Sequence, residues 1–295
     1  MKKQKGIIIS PGQIISLGDG SVRFMELESS EISFLLLYWD KVVIVNNNYL
    51  HMEVPRERTL RELKAVDFVR VGFNEEDFHS KQGWANEQLF IKSQYKAAER
   101  IFEEDSLNTD WSLNQISNTQ DLIIPEIYTR QAPLLKMDFM QLLPSPGNLT
   151  PYEEILEFKE KRRDILTALH VHINSICEGI IQSPDVAKER TRAIIDFENS
   201  INDLHKVSIE SFGITKKKET SLYLNITPTS IKSALGSFTA LDNLSHSGLH
   251  PLTILGVAAA SFIKIDFKYG ISFKSKDNLT YIKQASNRNL FKRQL

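Results

Sequence analysis

Residues 150–182 read TPYEEILEFKEKRRDILTALHVHINSICEGIIQ, and this stretch decides the predicted architecture. Thr150, Pro151 and Glu153 have the spacing of a capping box with proline at the first helical position. Apolar residues then recur every three or four positions, apart from one charged interruption, which predicts one amphipathic helix ending near Gln182. At 1.5 Å per residue this helix would be about 45–50 Å long. Its apolar seam comprises Ile155, Phe158, Ile165, Leu169, Ile173, Ile176 and Ile180.

A second helix is predicted directly after the first. Residues 183–185 read SPD, a capping turn, and an apolar seam follows. That seam comprises Val186, Ala193 or Ile194, Phe197, Ile201 and Leu204. A tight turn between two long helices predicts an antiparallel hairpin. Because such a pair rarely covers both seams by itself, we expect the hairpin to contact another protein.

The residues before the hairpin alternate between strand and helix patterns. Predicted strands cover residues 6–10, 21–27, 41–45 and 68–71, and predicted helices cover residues 29–38, 59–66 and 86–105. The run Lys41–Val45 is the clearest strand, because it is rich in β-branched residues and ends at three asparagines. A serine at residue 29 or 30 is expected to cap the first helix. Strands separated by short helices predict a sheet with some parallel pairing.

The whole chain is therefore predicted to be α+β, in three regions. Residues 1–143 form an N-terminal mixed α/β sheet region, residues 144–210 a helical hairpin that starts with the linker PSPGN, and residues 211–295 a small basic α/β region.

Composition indicates a water-soluble protein with a core. The chain is 41% hydrophobic and 25% charged, and its formal net charge is −1, so a bulk field toward nucleic acid or anionic membranes is not expected. The lone Cys177 cannot form an internal disulfide, which favours a reducing cytoplasm. The apolar run after the basic start breaks at Pro11, too early for a signal peptide. Residues 252–263 are shorter than the roughly 20 that a membrane span needs, so no membrane partner is predicted.

Charge is distributed unevenly along the chain. From residue 211 onward there are twelve lysines and arginines against four carboxylates, so this region carries +8 and the remainder −9. A basic region on an acidic body can bind a phosphate backbone or dock an acidic protein surface, and it can also be a solvated strand face and tail. The predicted nucleic-acid contacts are Lys264, Lys268, Lys274 and Lys276.

Arg163, Asp164 and His170 form a candidate catalytic set. Arg163 and His170 are seven residues apart, nearly two helical turns, and therefore share a face. A histidine that moves a proton beside an arginine that stabilises phosphorane charge could cleave RNA without metal. This arginine, polar residue and histidine pattern resembles the motif of the helical nucleotide-binding (HEPN-type) ribonucleases. The alternative is that residues 161–164 are simply the solvent face of an amphipathic helix.

Metal and cofactor sites are not predicted. Asp242, His246 and His250 have i, i+4, i+8 spacing, but Gly248 weakens that helix and Pro251 ends it. The chain has no glycine-rich phosphate loop, paired-cysteine zinc spacing or nucleophile-elbow motif.

Three segments carry a resemblance to a known family. LLLYWDKVVIVNNN (residues 35–48), EILEFKEKRRDIL (154–166) and LGVAAASFIKIDF (255–267) resemble an uncharacterised family of bacterial proteins of unknown function. The resemblance implies a bacterial or phage-associated cytoplasmic protein, and it implies no activity.

The predicted function is a non-enzymatic interaction or accessory subunit of a bacterial multi-protein system, with anti-phage defence as one such system. It would assemble through the hairpin as a homo-oligomer or in a hetero-complex. The alternatives are a metal-independent endoribonuclease that uses Arg163 and His170, and a nucleic-acid-binding module that uses the basic C-terminal region.

Overall fold

The computed structural model describes residues 3–16, 22–48, 51–73, 85–105, 107–117, 122–125, 139–140, 142–207, 220–225, 262–265 and 279–288. The helices within these ranges are α1 (Ser29–Tyr38), α2 (Glu57–Glu62), α3 (Ala85–Asp105), α4 (Tyr152–Glu160), α5 (Arg163–Gln182), α6 (Val186–Val207) and α7 (Thr280–Asn287). The strands are β1 (Gln4–Ile9), β2 (Gly12–Ser16), β3 (Val22–Glu26), β4 (Lys41–Asn47), β5 (Asp67–Val71), β6 (Thr109–Ser117), β7 (Leu122–Pro125), β8 (Thr220–Asn225) and β9 (Phe262–Ile265). The predicted α+β class is confirmed.

A five-stranded sheet with the order β5-β4-β1-β6-β8 is the main sheet of the described residues. β5, β4, β1 and β6 pair in parallel, and β8 pairs antiparallel with β6. β1 and β4 read as continuous apolar runs because both of their faces are buried, which is typical of central parallel strands. The predicted parallel pairing is therefore confirmed, and β2–β3 and β7–β9 form two further antiparallel pairs.

Two compact units divide the chain. One consists of Met1–Leu27, Asp40–Arg130 and Glu219–Asp266, and it holds the main sheet, α2 and α3. The other consists of Glu28–Trp39, Gln131–Lys218 and Phe267–Leu295, and it holds the other helices. Both units are assembled from separated stretches of chain, whereas the predicted regions 1–143, 144–210 and 211–295 follow chain order. That contiguous division stays a prediction.

Within the sheet unit, the Trp111 ring of β6 packs directly on Gly6 of β1. Gly6 is in register with Trp111. A Cβ atom added at Gly6 would lie 2.3 Å from Cε3 of the Trp111 ring, so only glycine fits here without movement of the ring. Lys41, in register with Gly6 on the other side, places its ammonium group 6.0 Å from the Trp111 ring centroid and also forms an ion pair with Asp105.

In the helical unit, α1 begins and ends as predicted, but its cap differs. The N-cap residue is Glu28, whose backbone N–H donates to the Glu31 carboxylate at 2.8 Å. Ser30 instead donates its hydroxyl to the Glu28 carboxylate. The expected serine cap was wrong because the glutamate pair satisfies the first turn one residue earlier.

The predicted single long helix was also wrong. The chain forms α4, a turn at Lys161 and Arg162, and then α5, so the longer piece measures about 30 Å. Arg162 leaves helical geometry (φ −132°, ψ 26°), stacks its guanidinium over Phe158 and donates to the Gln284 side chain at 2.5 Å. The break falls in the charged interruption, where the sequence has no apolar residues whose burial would favour a continuous helix.

The start of α4 differs from the predicted capping box as well. Pro151 takes the N-cap position with extended backbone (ψ 137°) and no side-chain cap bond, so the helix begins at Tyr152.

The predicted linker is packed: Tyr38 donates to the Pro144 carbonyl at 3.0 Å, and Ser145 donates to the Ser30 carbonyl at 2.9 Å.

The helices α5 and α6 are joined by residues 183–185 and contact each other. Most of the predicted seams are buried, as the periodicity required. Their buried members are Ile155 and Phe158 of α4, and Leu169, Ile173, Ile180, Ala193, Ile194, Phe197 and Ile201 of α5 and α6. The antiparallel hairpin itself stays a prediction.

Candidate functional site at the carboxyl edge of the sheet

The strand β1 ends earlier than its two neighbours in the sheet. Ile9, its last residue, is in register with Ile44 of β4 and with Asn114 of β6. Beyond that level β4 continues to Asn47 and β6 continues to Ser117. The carboxyl edge of the sheet therefore has a step at β1, flanked by two longer strands.

This step coincides with a reversal of chain direction across the sheet. From β1 the chain adds β4 and then β5 on one side, and it later adds β6 on the other side. Such a reversal is a topological switch point, and ligands of open parallel sheets bind outside the carboxyl ends of the strands at this position.

Asn114 is the polar residue that stands out at the step. Its side chain is fully buried, and among the residues that the structure describes neither its Nδ2 nor its Oδ1 has a hydrogen-bond partner. Its backbone carbonyl is satisfied, because the Gln94 amide of α3 donates to it at 2.9 Å. A buried polar group without a partner costs about 1–3 kcal/mol, so this amide calls for an explanation.

Two neighbouring asparagines at the same edge each exchange a pair of hydrogen bonds with backbone groups. Asn46 accepts from the Met52 N–H at 3.2 Å and donates to the Met52 carbonyl at 3.5 Å. Asn48 accepts from the Phe73 N–H at 2.8 Å and donates to the Phe73 carbonyl at 2.9 Å. These pairs fix the loops that follow β4 and β5, whereas the amide of Asn114 has no hydrogen-bond partner among the described residues.

The turn after β1 leads the chain into β2. Ser10 is buried and donates its hydroxyl to the Gly12 carbonyl at 2.8 Å, which directs the chain into β2. β2 in turn contacts β6. The chain that leaves β1 therefore continues beside β6.

The predicted catalytic residues lie in the helical unit, in different environments. Arg163 is exposed and pairs with Glu160 at 2.7 Å, and Asp164 is exposed. His170 is 3% exposed, and its Nε2 lies 2.8 Å from the Tyr38 carbonyl. The described geometry does not bring Arg163 and His170 into one solvent-accessible site, and their catalytic role stays a prediction.

His170 belongs to a group of donors that cap the end of α1. Lys159 donates to the Trp39 carbonyl at 2.7 Å, and the Tyr281 hydroxyl donates to the Leu37 carbonyl at 2.7 Å. With His170 at the Tyr38 carbonyl, three consecutive carbonyls receive side-chain partners. The last carbonyls of a helix have no intrahelical donor, and a lysine there also suits the negative end of the helix dipole.

Two pKa shifts describe the interior of this unit. Burial raises the pKa of Tyr38 well above its usual value, with the neighbouring Tyr281 adding to the effect, so its hydroxyl stays protonated and donates to Pro144. Burial lowers the pKa of His172, whose ring centroid lies 6.4 Å from that of Phe197. His172 is therefore a neutral packing residue at pH 7.

The other predicted site residues are only partly covered by the structure. Lys264 lies in β9, in register with Ile123 of β7. Lys268, Lys274 and Lys276 lie outside the described residues, as do the three candidate metal ligands Asp242, His246 and His250. The described ranges contain no group of three histidine, cysteine or acidic side chains that could hold a metal ion. No helix in those ranges is both long and apolar enough to span a bilayer.

The comparisons with known proteins assign a family. A family model described as "Family of unknown function (DUF6236)" matches residues 13–284. The chain belongs to this family. The predicted resemblance to an uncharacterised family is thereby confirmed. The search of curated proteins and the search of solved structures each found no match.

For this family member, sequence reasoning missed both β6 and Asn114. The strand reads TDWSLNQIS, where alternating polar residues obscure a central strand. Asparagine is depleted in strands, so an asparagine next to Leu113 within a predicted strand would have been an unusual residue to notice. Only the structure shows that β6 pairs with β1 and that this asparagine is buried there.

Proposed function

We propose that this chain binds a small-molecule ligand at the carboxyl edge of its main sheet, in the step between β4 and β6. The observation that carries the proposal is the fully buried Asn114 amide, whose two polar atoms have no partner within the described residues. The position supports it independently, because the step lies at the topological switch point of the sheet.

A structural role explains the Asn114 amide poorly. An asparagine that organises backbone exchanges hydrogen bonds with it, as Asn46 and Asn48 do at this edge. A leucine of similar size at position 114 would avoid the desolvation cost of an amide. A bound molecule with complementary polar groups would offset that cost, and stability given up at a binding site is a common trade-off.

The variant Asn114→Leu tests this proposal through stability. The ligand-free variant is expected to be more stable than the parent by about 1–3 kcal/mol, because a buried unsatisfied amide is removed. Urea denaturation followed by circular dichroism measures the change. Asn48→Leu is the matched control for stability. It should lose stability, because the Asn48 amide exchanges two hydrogen bonds with the backbone of Phe73. Equal destabilisation by both substitutions would mean that Asn114 is an ordinary structural asparagine.

Ligand binding is measured on the parent, on Asn114→Leu and on Tyr281→Phe, whose substitution lies in the helical unit. A panel of nucleosides, nucleotides, amides and organic acids is screened by thermal shift with the full chain. Compounds that bind at the step should raise the melting temperature of the parent and of Tyr281→Phe, but not of Asn114→Leu. A compound that stabilises all three proteins equally binds elsewhere.

Assembly through α5 and α6 is the second candidate function. The observation in its favour is that Val171 and Ile181 of α5 are 56% and 39% exposed. We propose that these side chains lie in a contact with a second copy of the chain. Light scattering should then show a dimer that Val171→Glu dissociates and that Leu107→Glu, at an 86% exposed position of the sheet unit, leaves intact. A monomeric parent protein would refute the homo-oligomer. The accessory role in a cytoplasmic bacterial system rests on the family resemblance.

A further inference from the structure

We propose that the ligand presents to Asn114 a neutral edge with one hydrogen-bond donor beside one acceptor, as nucleobases and carboxamides do. This inference rests on the proposed function, because it names the chemistry that the same site would recognise. It concerns the atoms that face the Asn114 side chain and leaves the remainder of the ligand open.

The chemistry follows from the two open positions on the amide. Nδ2 offers two N–H donors, and Oδ1 accepts. Both atoms are buried and lack partners in the described residues, so a group that binds only one of them leaves the other unsatisfied. A planar edge with adjacent donor and acceptor satisfies both at once. The bidentate pairing of asparagine with adenine is an example.

Anionic groups fit this position less well. A carboxylate only accepts hydrogen bonds at neutral pH, so one of its oxygens would face Oδ1 and repel it. The register neighbours of Asn114 in the sheet include Ile9, which offers no charge to balance an anion. Burial of an ion without a partner is far costlier than burial of a neutral amide.

Matched ligand pairs test the inference on the full chain. Adenosine is compared with purine riboside, which lacks the exocyclic amino donor, and nicotinamide is compared with nicotinate, which replaces the amide by an anion. Isothermal titration calorimetry is expected to show the donor–acceptor member of at least one pair binding about 5- to 150-fold more tightly. In Asn114→Leu this preference should disappear, while in Tyr281→Phe, a substitution in the helical unit, it should persist. The pair that shows it assigns the edge to a nucleobase or to a carboxamide.

Failure of the inference and failure of the proposed function differ in outcome. If the two members of each pair bind equally tightly, and Asn114→Leu abolishes that binding, the site exists and the donor–acceptor edge is wrong. If no member of either pair binds, the inference is overturned. The proposed function falls with it when Asn114→Leu is also no more stable than the parent.

Discussion

The contact between Gly6 and Trp111 gives the sharpest test of the packing between β1 and β6. In Gly6→Ala the new Cβ would lie 2.3, 2.5 and 2.7 Å from Cε3, Cζ3 and Cδ2 of the indole ring. Real Cβ contacts essentially never fall below 3.0 Å, so the ring or a strand must move. Trp111 is only 4% exposed, and β1 and β6 are held in register along six residue pairs, so neither moves easily.

The expected loss follows from two opposing effects. Overpacking in a well-packed core costs about 1–3 kcal/mol, and three short contacts with a rigid ring place this site at the upper end. Alanine also restricts the unfolded chain more than glycine, which returns about 0.4–1 kcal/mol. We therefore expect the free energy of unfolding to fall by about 2 kcal/mol. Urea denaturation followed by tryptophan fluorescence and circular dichroism measures it.

Two further variants separate this steric effect from a general effect of alanine. Gly72→Ala, in the same unit, meets nothing within 4 Å and should be neutral or slightly stabilising. Trp111→Leu removes the ring, so the double variant with Gly6→Ala should lose less than the sum of the single losses. If Gly6→Ala lies within about 0.5 kcal/mol of the parent, a range ordinary for harmless surface changes, the described packing of the Trp111 ring on Gly6 is wrong.

Three further predictions concern side chains outside the proposed ligand site. Tyr281→Phe removes one buried donor from the end of α1 and should cost about 1 kcal/mol in urea denaturation; an unchanged midpoint would contradict that capping role. His170→Ala should lower the free energy of unfolding by about 1–3 kcal/mol, whereas Arg163→Ala should change it by less than about 0.5 kcal/mol. The same two variants test the ribonuclease alternative, which requires that the parent cleaves RNA in the presence of chelator and that either substitution abolishes this cleavage. A hydrogen bond from Lys41 lowers the pKa of Asp105, so this pair should stabilise the fold above the ordinary carboxyl pKa of about 4 and lose that effect as the pH falls through the lower folded value. Asp105→Asn should flatten this part of the stability profile in acid titrations, and an unchanged profile would count against it.

Local pattern was sufficient for most secondary structure. The apolar runs of β1, β4 and β5 and the amphipathic spacing of α3, α5 and α6 predict their elements, because one buried face imposes a period of two or 3.6 residues on the sequence. The serine cap of α1 and the capping box of α4 were wrong, because several residues near a helix start can take the cap position and packing selects one of them.

The tertiary structure decided the features that depend on distant partners. The break after α4 accompanies the contact of Arg162 with Gln284, which is 122 residues away in sequence. His170, which the sequence presents as a candidate general base, lies buried against a carbonyl of α1.

The same division applies to the candidate ligand site. The sequence by itself determined the fold class, the family resemblance and most of the elements, because these follow from short-range patterns. The tertiary structure alone decided that β6 lies beside β1 and that the amide of Asn114 is buried where β1 ends. The physical reason is that β1 and β6 pair through residues more than 100 positions apart in the sequence. In addition, the sequence alone does not show whether the fold supplies a hydrogen-bond partner for a given polar side chain.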